Sequence, residues 1–204
     1  MARTQPRLSV IIPVYNGADT IGRCLSALAG SSFQDFETIV VDDGSVDDSA
    51  AIAAGFGVRL LRLGHNSGPA AARNAGVSAS SAPLLFFLDD DIIVPPSLLD
   101  RAVNALASRP EFSALFCSFS KETVPTNTCS RHKNLVHHWA HQTAAEEAVT
   151  FCGGFGLIRR AAFLATGGFN VQQRFLEDVD LGYRLHRSGH RILLIKDIQA
   201  THAK

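Results

Sequence analysis

Strand and helix signals alternate through the first half of the chain, and that alternation limits the possible fold more than any other property of the sequence. Residues 8–14 form an apolar run rich in β-branched side chains, and residues 36–41, 58–63 and 84–88 repeat the pattern. Between them, residues 19–28 carry Ile21, Leu25 and Leu28 at helical spacing. Ser45 or Asp47 is placed to cap an Ala-rich helix, Asn66-Ser67-Gly68-Pro69 opens a second, and Pro95-Pro96-Ser97 starts a third. Strands alternating with helices predict an α/β fold with a mostly parallel central sheet covered on both faces.

The second half is less regular. Residues 112–119 read as a strand, 121–127 as a polar loop, 131–145 as a helix and 152–158 as a glycine-containing strand. A helix over 177–187 and a strand over 191–195 complete the pattern. A length of 204 residues, 46% hydrophobic, suits one domain better than two. The expectation is a single domain over 1–204, with a regular half at about 8–119 and a less regular half at about 120–204.

Charge and cysteine content exclude several classes. Lys+Arg and Asp+Glu balance at 19 each, so nothing global favours nucleic acid or an anionic membrane. The four cysteines, Cys24, Cys117, Cys129 and Cys152, form no Cys-x-x-Cys pair and read as mostly buried thiols of a reducing, cytoplasmic setting. The leader before residue 8 has no apolar segment of signal-peptide type. The sequence stops soon after a strand-like segment and reads as truncated. A missing C-terminal part is expected to hold membrane helices or an acceptor-binding subdomain, which would place the protein at the cytoplasmic face of a membrane.

Chemistry enters with Asp89-Asp90-Asp91, directly after the apolar run Leu84-Leu85-Phe86-Phe87-Leu88. Three carboxylates at the end of a buried strand repel one another unless a cation neutralises them. Hard oxygen donors suit Mg2+ or Mn2+, and Mg2+ completes its shell with phosphate oxygens. Two more strands end in polar clusters, Pro13-Val14-Tyr15-Asn16-Gly17 and Asp42-Asp43-Gly44-Ser45. In open α/β sheets ligands bind at the carboxyl ends of the strands. Parallel strands would bring all three clusters to one rim.

These segments resemble family 2 glycosyltransferases. The match includes the opening at 8–17, Val40-Val41-Asp42-Asp43-Gly44-Ser45, Ala72-Arg73-Asn74-Ala75-Gly76, Phe87-Leu88-Asp89-Asp90-Asp91, Gly167-Gly168-Phe169 and Glu177-Asp178-Val179-Asp180. The resemblance implies a GT-A fold and a nucleotide-diphosphate-sugar donor, uridine being the commonest base in the family. It implies nucleoside contacts from Pro13, Tyr15 and Asp43, with Asp42 as neighbour. The Asp-x-Asp pair maps to Asp89 and Asp91, the last on the metal and the earlier ones facing ribose or water, with Asp90 in the variable middle place. Asp178 matches the base of inverting members, with Glu177 beside it at a helix start that favours ionised carboxylates. His202 matches a histidine near the metal or diphosphate. The acceptor would be a glycan or a lipid-linked molecule, met between residues 121 and 151.

Two other readings compete. A phosphatase of the haloacid dehalogenase class also places Asp-x-Asp after an apolar strand, with Asp89 as nucleophile and Asp91 beside it. Its nucleophile sits on the first strand, whereas three strand-like segments precede this one. A non-catalytic nucleotide-sugar-binding domain would need neither Asp178 nor Glu177. His132, His137, His138 and His141 invite a zinc reading, but His-His-Trp-Ala-His lacks the glutamate of a zincin helix, and a helix face near the acceptor is preferred. Arg159 or Arg160 is a candidate phosphate contact.

Overall fold

The computed structural model describes residues 5–124, 127–173 and 175–203. The first four leader residues, and positions 125–126 of the polar loop, lie outside the described residues. Three βα units and a fourth strand open the chain: β1 (Leu8–Val14), α1 (Ile21–Ala29), β2 (Phe36–Asp42), α2 (Ser49–Ala54), β3 (Arg59–Arg62), α3 (Pro69–Ala79) and β4 (Leu84–Leu88), followed by the short β5 (Ile92–Ile93) and α4 (Leu98–Ala107). The second half holds β6 (Phe112–Thr123), α5 (Thr128–Thr143), β7 (Glu147–Ala148), β8 (Phe155–Arg159), α6 (Arg160–Ala165), α7 (Glu177–Arg187) and β9 (Arg191–His202).

All strands join one sheet in the order β3-β2-β1-β4-β8-β6-β9-β5, with β7 beside β9. The first four pair in parallel, as the alternation predicts, while β8 runs antiparallel between β4 and β6. Strand order reverses at β1, between β2 and β4. Every residue of β1 is buried, and Pro13 falls past the last residue that pairs with β4, where a strand tolerates a missing N–H.

The sheet is packed on both faces, which explains why its strands read as continuous apolar runs. Alternate β4 side chains serve different cores. Phe86 and Leu88 join Val10, Ile12, Leu115 and Leu193 under α1 and α4. Leu85 and Phe87 join Ile11, Phe151, Phe163 and Phe169 under α6 and α7. Phe87 is the hub of the second core, with Phe169 edge-on at 4.9 Å.

The structure extends two of the expected strands. β6 continues through residues read as polar loop to Thr123, and β9 continues past 195 to His202, because the two pair across register shifts at Cys117/Ser118 and Phe119/Thr123. A shifted register breaks the alternation that a sequence pattern needs. Residues 152–154 turn before β8 rather than belonging to it. Cys24 and Cys117 are buried and Cys152 half-buried, but Cys129 is exposed. Among the described residues no helix is long and apolar enough to cross a membrane.

Helix α7 lies so close to the segment before β8 that a Cβ on Gly182 would sit 2.5 Å from the Thr150 carbonyl carbon and nearer still to the Phe151 nitrogen. Backbone cannot yield as a side chain can. Gly182→Ala is therefore expected to destabilise by about 1–3 kcal/mol, although alanine alone favours a helix by about 1 kcal/mol. A thermal melt checks the sign.

Candidate active site

The three polar clusters do share one rim, because β1, β2 and β4 are parallel neighbours. The loops after β1 and β2 are laced together. Asn16 N–H donates to Ser45 Oγ at 3.0 Å, Val46 N–H to Asn16 Oδ1 at 3.0 Å, and Gly17 N–H to Ser49 Oγ at 2.8 Å. Asn16 takes φ 51°, a left-handed conformation that asparagine tolerates. Tyr15, 47% exposed, stands at this rim with its ring accessible.

Asp42 and Asp43 are turned inward. Asp42 accepts from Ser45 N–H and from Arg62 Nε at 3.1 Å. Asp43 accepts from the N–H groups of Ser67 and Gly68 at 2.9 and 2.8 Å, fixing the entry to α3. Their carboxylates are held by these backbone and side-chain donors.

Helix α3 contributes the residue that sequence reasoning missed. Arg73 is 4% exposed, and its guanidinium forks between Asp89 Oδ1 at 2.8 Å and Glu177 Oε1 at 2.6 Å. Burial opposes its charge, but the two carboxylates outweigh that and hold its pKa above the usual value. Gly76 lets α3 approach this closely, since a Cβ there would press on Ile11 and lie 3.2 Å from Val41. Asn74, next in line, clamps Phe169 by donating to its carbonyl at 2.7 Å and accepting from its N–H at 3.0 Å. Sequence alone gave only its place in the motif Ala72-Arg73-Asn74-Ala75-Gly76, because an arginine in an Ala-rich helix ordinarily faces solvent.

The acidic triplet is built in, not merely appended. Asp89 N–H donates to Gly154 carbonyl at 2.9 Å, and Thr20 Oγ1 donates to Asp90 Oδ2. A Cβ on Gly154 would lie 2.9 Å from Asp89 Cγ, so glycine makes room for the carboxylate. On the adjacent peptide, Gly153 N–H donates to Asp178 Oδ2 at 3.0 Å. Asp178 Oδ1 accepts from Val179 N–H at 2.8 Å. The two consecutive glycines thus seat Asp89 on one and Asp178 on the other. Glu177 differs from its neighbour: it is buried and tied to Arg73, so it holds Arg73 in place instead of facing a substrate. Asp180 pairs with Arg184 on the helix surface.

His202 reaches the triplet through backbone pairing. β9 ends alongside β5 with His202 opposite Ile92, and Ala203 N–H donates to the Asp91 carbonyl at 2.7 Å. The ring stacks on Phe119 at 4.3 Å. Asn134 donates its amide protons to the carbonyls of Ser120 and Glu122, so its Oδ1 accepts from His202 Nδ1 at 3.2 Å. Burial, then Lys133 and His137, push the His202 pKa down to about 4 against the pull of Asp89. The neutral ring therefore carries its lone pair on Nε2, the form a metal requires. Among the described residues no three His, Cys, Asp or Glu side chains form a ready-made metal cage. Mg2+-type sites need none, taking one or two carboxylates and filling the shell with phosphate oxygens and water. The donor chemistry of the triplet and His202 fits such an ion.

The remaining candidates fall elsewhere. His137 and His141 pack against Phe119, and His138 Nδ1 lies 2.7 Å from the Phe119 carbonyl. They are aromatic packing for α5 and not a zinc set. Arg159 donates to the carbonyls of Phe112 and Leu106, and Arg160 to those of Ala82 and Val77. Both are occupied by backbone, far from the role of a phosphate contact.

Known proteins resemble this chain in sequence and in fold. Residues 9–166 match the family described as glycosyl transferase family 2. A validoxylamine A glucosyltransferase of Streptomyces hygroscopicus is 31% identical over 98% of this chain and 56% of its own length. A pre-mycofactocin glycosyltransferase of Mycobacterium tuberculosis is 29% identical over 91% of this chain and 40% of its own. The chain thus spans about half the length of the curated relatives it matches. Among solved structures, the mannosyltransferase PcManGT of Pyrobaculum calidifontis, in complex with GDP-Man and Mn2+, superimposes with a TM-score of 0.79 at 21% identity, over 98% of this chain and 58% of that one. S. aureus TarS 1-349 with UDP-GlcNAc gives 0.78 at 21% identity, over 97% and 58%. The fold is GT-A-like, and the match over most of its length makes the chain a member of glycosyl transferase family 2.

Proposed function

We propose that this chain transfers a sugar from a nucleotide-diphosphate sugar to an acceptor hydroxyl, with inversion at the anomeric carbon. The observation that carries the reading is the Gly153-Gly154 step, which joins the acidic triplet to Asp178. Tyr15 would face the base, with Pro13, Asp42 and Asp43 shaping the nucleoside wall. Asp89 and Asp90 would meet ribose or metal-bound water. Asp91 would hold Mn2+ or Mg2+, with Asp89 and His202 as further candidate ligands. When bound, the ion offsets charge on the leaving diphosphate.

Asp178 acts as base. It takes the proton of the acceptor hydroxyl while that oxygen bonds to the anomeric carbon. The carbon–phosphate-oxygen bond breaks on the opposite face, and its electron pair leaves with the nucleotide diphosphate. No covalent sugar–enzyme bond forms, so no second carboxylate is needed as nucleophile. Arg73 is a positioning residue that orients Asp89, and Glu177 acts through Arg73.

The phosphatase reading is disfavoured by the place of Asp89, just after the fourth strand and paired to Arg73. The donors named for the structural neighbours carry guanosine or uridine, so those nucleotides are the first to test. A ligand at 100 times its Kd stabilises by about 2.7 kcal/mol, or roughly 5–10 °C for a chain of this size. UDP or GDP with Mn2+ is expected to raise the melting temperature by that amount, and less when EDTA is present. If UDP, GDP, dTDP and their sugars all leave it unmoved in Mn2+, the proposal fails.

A further inference from the structure

Asp178 also borders a cavity of about 490 Å³ between α5, β7 and the segment that leads to β8. That volume suits a small organic ligand. Phe116, Phe119, Val149, Phe151 and Leu194 supply apolar walls, and His141 completes them. Among the described residues no lysine or arginine lines the space. Its only charged groups are carboxylates, Asp178 and Glu147, and the latter is held by Arg191 through two bonds of 2.9 and 2.8 Å. A phosphate or carboxylate placed here would face like charge in an apolar setting.

His141 adds a neutral ring, because burial and the neighbouring His137 and His138 push its pKa down to about 4. The wall thus asks for apolar bulk and repels anions.

Building on the proposed transferase reading, we infer that this cavity is the acceptor site and takes an uncharged alcohol whose reacting hydroxyl adjoins an aromatic ring or branched apolar body. Such a body would lie on the exposed apolar surface at Ala140, Ala144 and Val149, backed by the Phe116, Phe119 and Phe151 rings, while its hydroxyl reaches Asp178. Acceptors that carry phosphate beside the reacting hydroxyl are excluded by the same walls. The bond-making step is the one written above and needs no further reactant.

Phenyl β-glucoside, methyl β-glucoside, glucose and glucose 6-phosphate are suitable probes, titrated by calorimetry into the intact chain. Burying the phenyl ring is expected to tighten binding at least tenfold over the methyl glycoside. Glucose 6-phosphate is expected to bind at least tenfold more weakly than glucose. Ala140→Phe, at an exposed turn of α5 that borders the cavity, should erase the phenyl advantage without changing the melting temperature by more than a degree or two. Equal affinities for phenyl and methyl glycosides, or tight binding of glucose 6-phosphate, would overturn the inference. These titrations need no turnover and no nucleotide. A phenyl advantage with no nucleotide stabilisation would uphold the cavity and sink the transferase reading, whereas nucleotide stabilisation with equal glycosides would do the reverse.

Discussion

Asp178→Asn is expected to lower kcat for sugar transfer by about 10²–10⁴-fold, the usual contribution of a positioned general base. The asparagine is nearly isosteric, so the pocket keeps its shape. It cannot take a proton from the acceptor hydroxyl. It also has one acceptor oxygen where two backbone N–H groups, of Gly153 and Val179, now donate. One of those bonds is lost, at a cost of about 1 kcal/mol in stability. The donor KM should stay within a few-fold, because Asp178 belongs to the acceptor side of the Gly153-Gly154 step. Steady-state kinetics with a donor found by thermal stabilisation separate the two parameters. A variant that turns over at the wild-type rate would remove Asp178 from the mechanism. The matching Glu177→Gln change separates the neighbours. Glu177 is buried on Arg73, so its loss should lower stability more than Asp178→Asn does.

How far the sequence foretold this site depends on the range of each interaction. The parallel half was legible because β1, β2 and β4 are buried on both faces and leave a plain apolar signature. Their parallel pairing then fixes the shared rim, whatever the loops do. β6 and β9 were legible only to their register shifts, beyond which polar residues alternate without a clear period. His202 could be aligned by resemblance, but what holds its tautomer is Asn134, 68 residues away. No local pattern encodes such a contact. The inward turn of Asp42 and Asp43 was equally invisible, since an Asp-Asp-Gly-Ser turn reads the same whether its carboxylates face ligand or backbone. Arg73 sat inside a quoted motif without a role, because its partners lie 16 and 104 positions away.

Arg73→Met should cost about 3 kcal/mol of stability, a fall of roughly 6–12 °C in melting temperature. The loss comes mainly from Glu177, whose side chain is 11% exposed and would be left charged and unpaired; Asp89, 40% exposed, can rehydrate. Arg73→Lys keeps a charge but not the fork, and a single ammonium cannot match two carboxylates on opposite sides, so an intermediate loss is expected. The decisive variant is the double change Arg73→Met with Glu177→Met. Replacing both members of a buried pair by apolar groups of similar volume is often neutral, so most of the stability should return. Turnover should not return, because Asp89 would still lack the guanidinium that orients it. The defect should appear as a raised donor KM and a weaker nucleotide-induced shift, neither of which a merely structural role would predict once the fold is restored. Recovery of both stability and donor KM in the double variant would show that Arg73 serves packing alone.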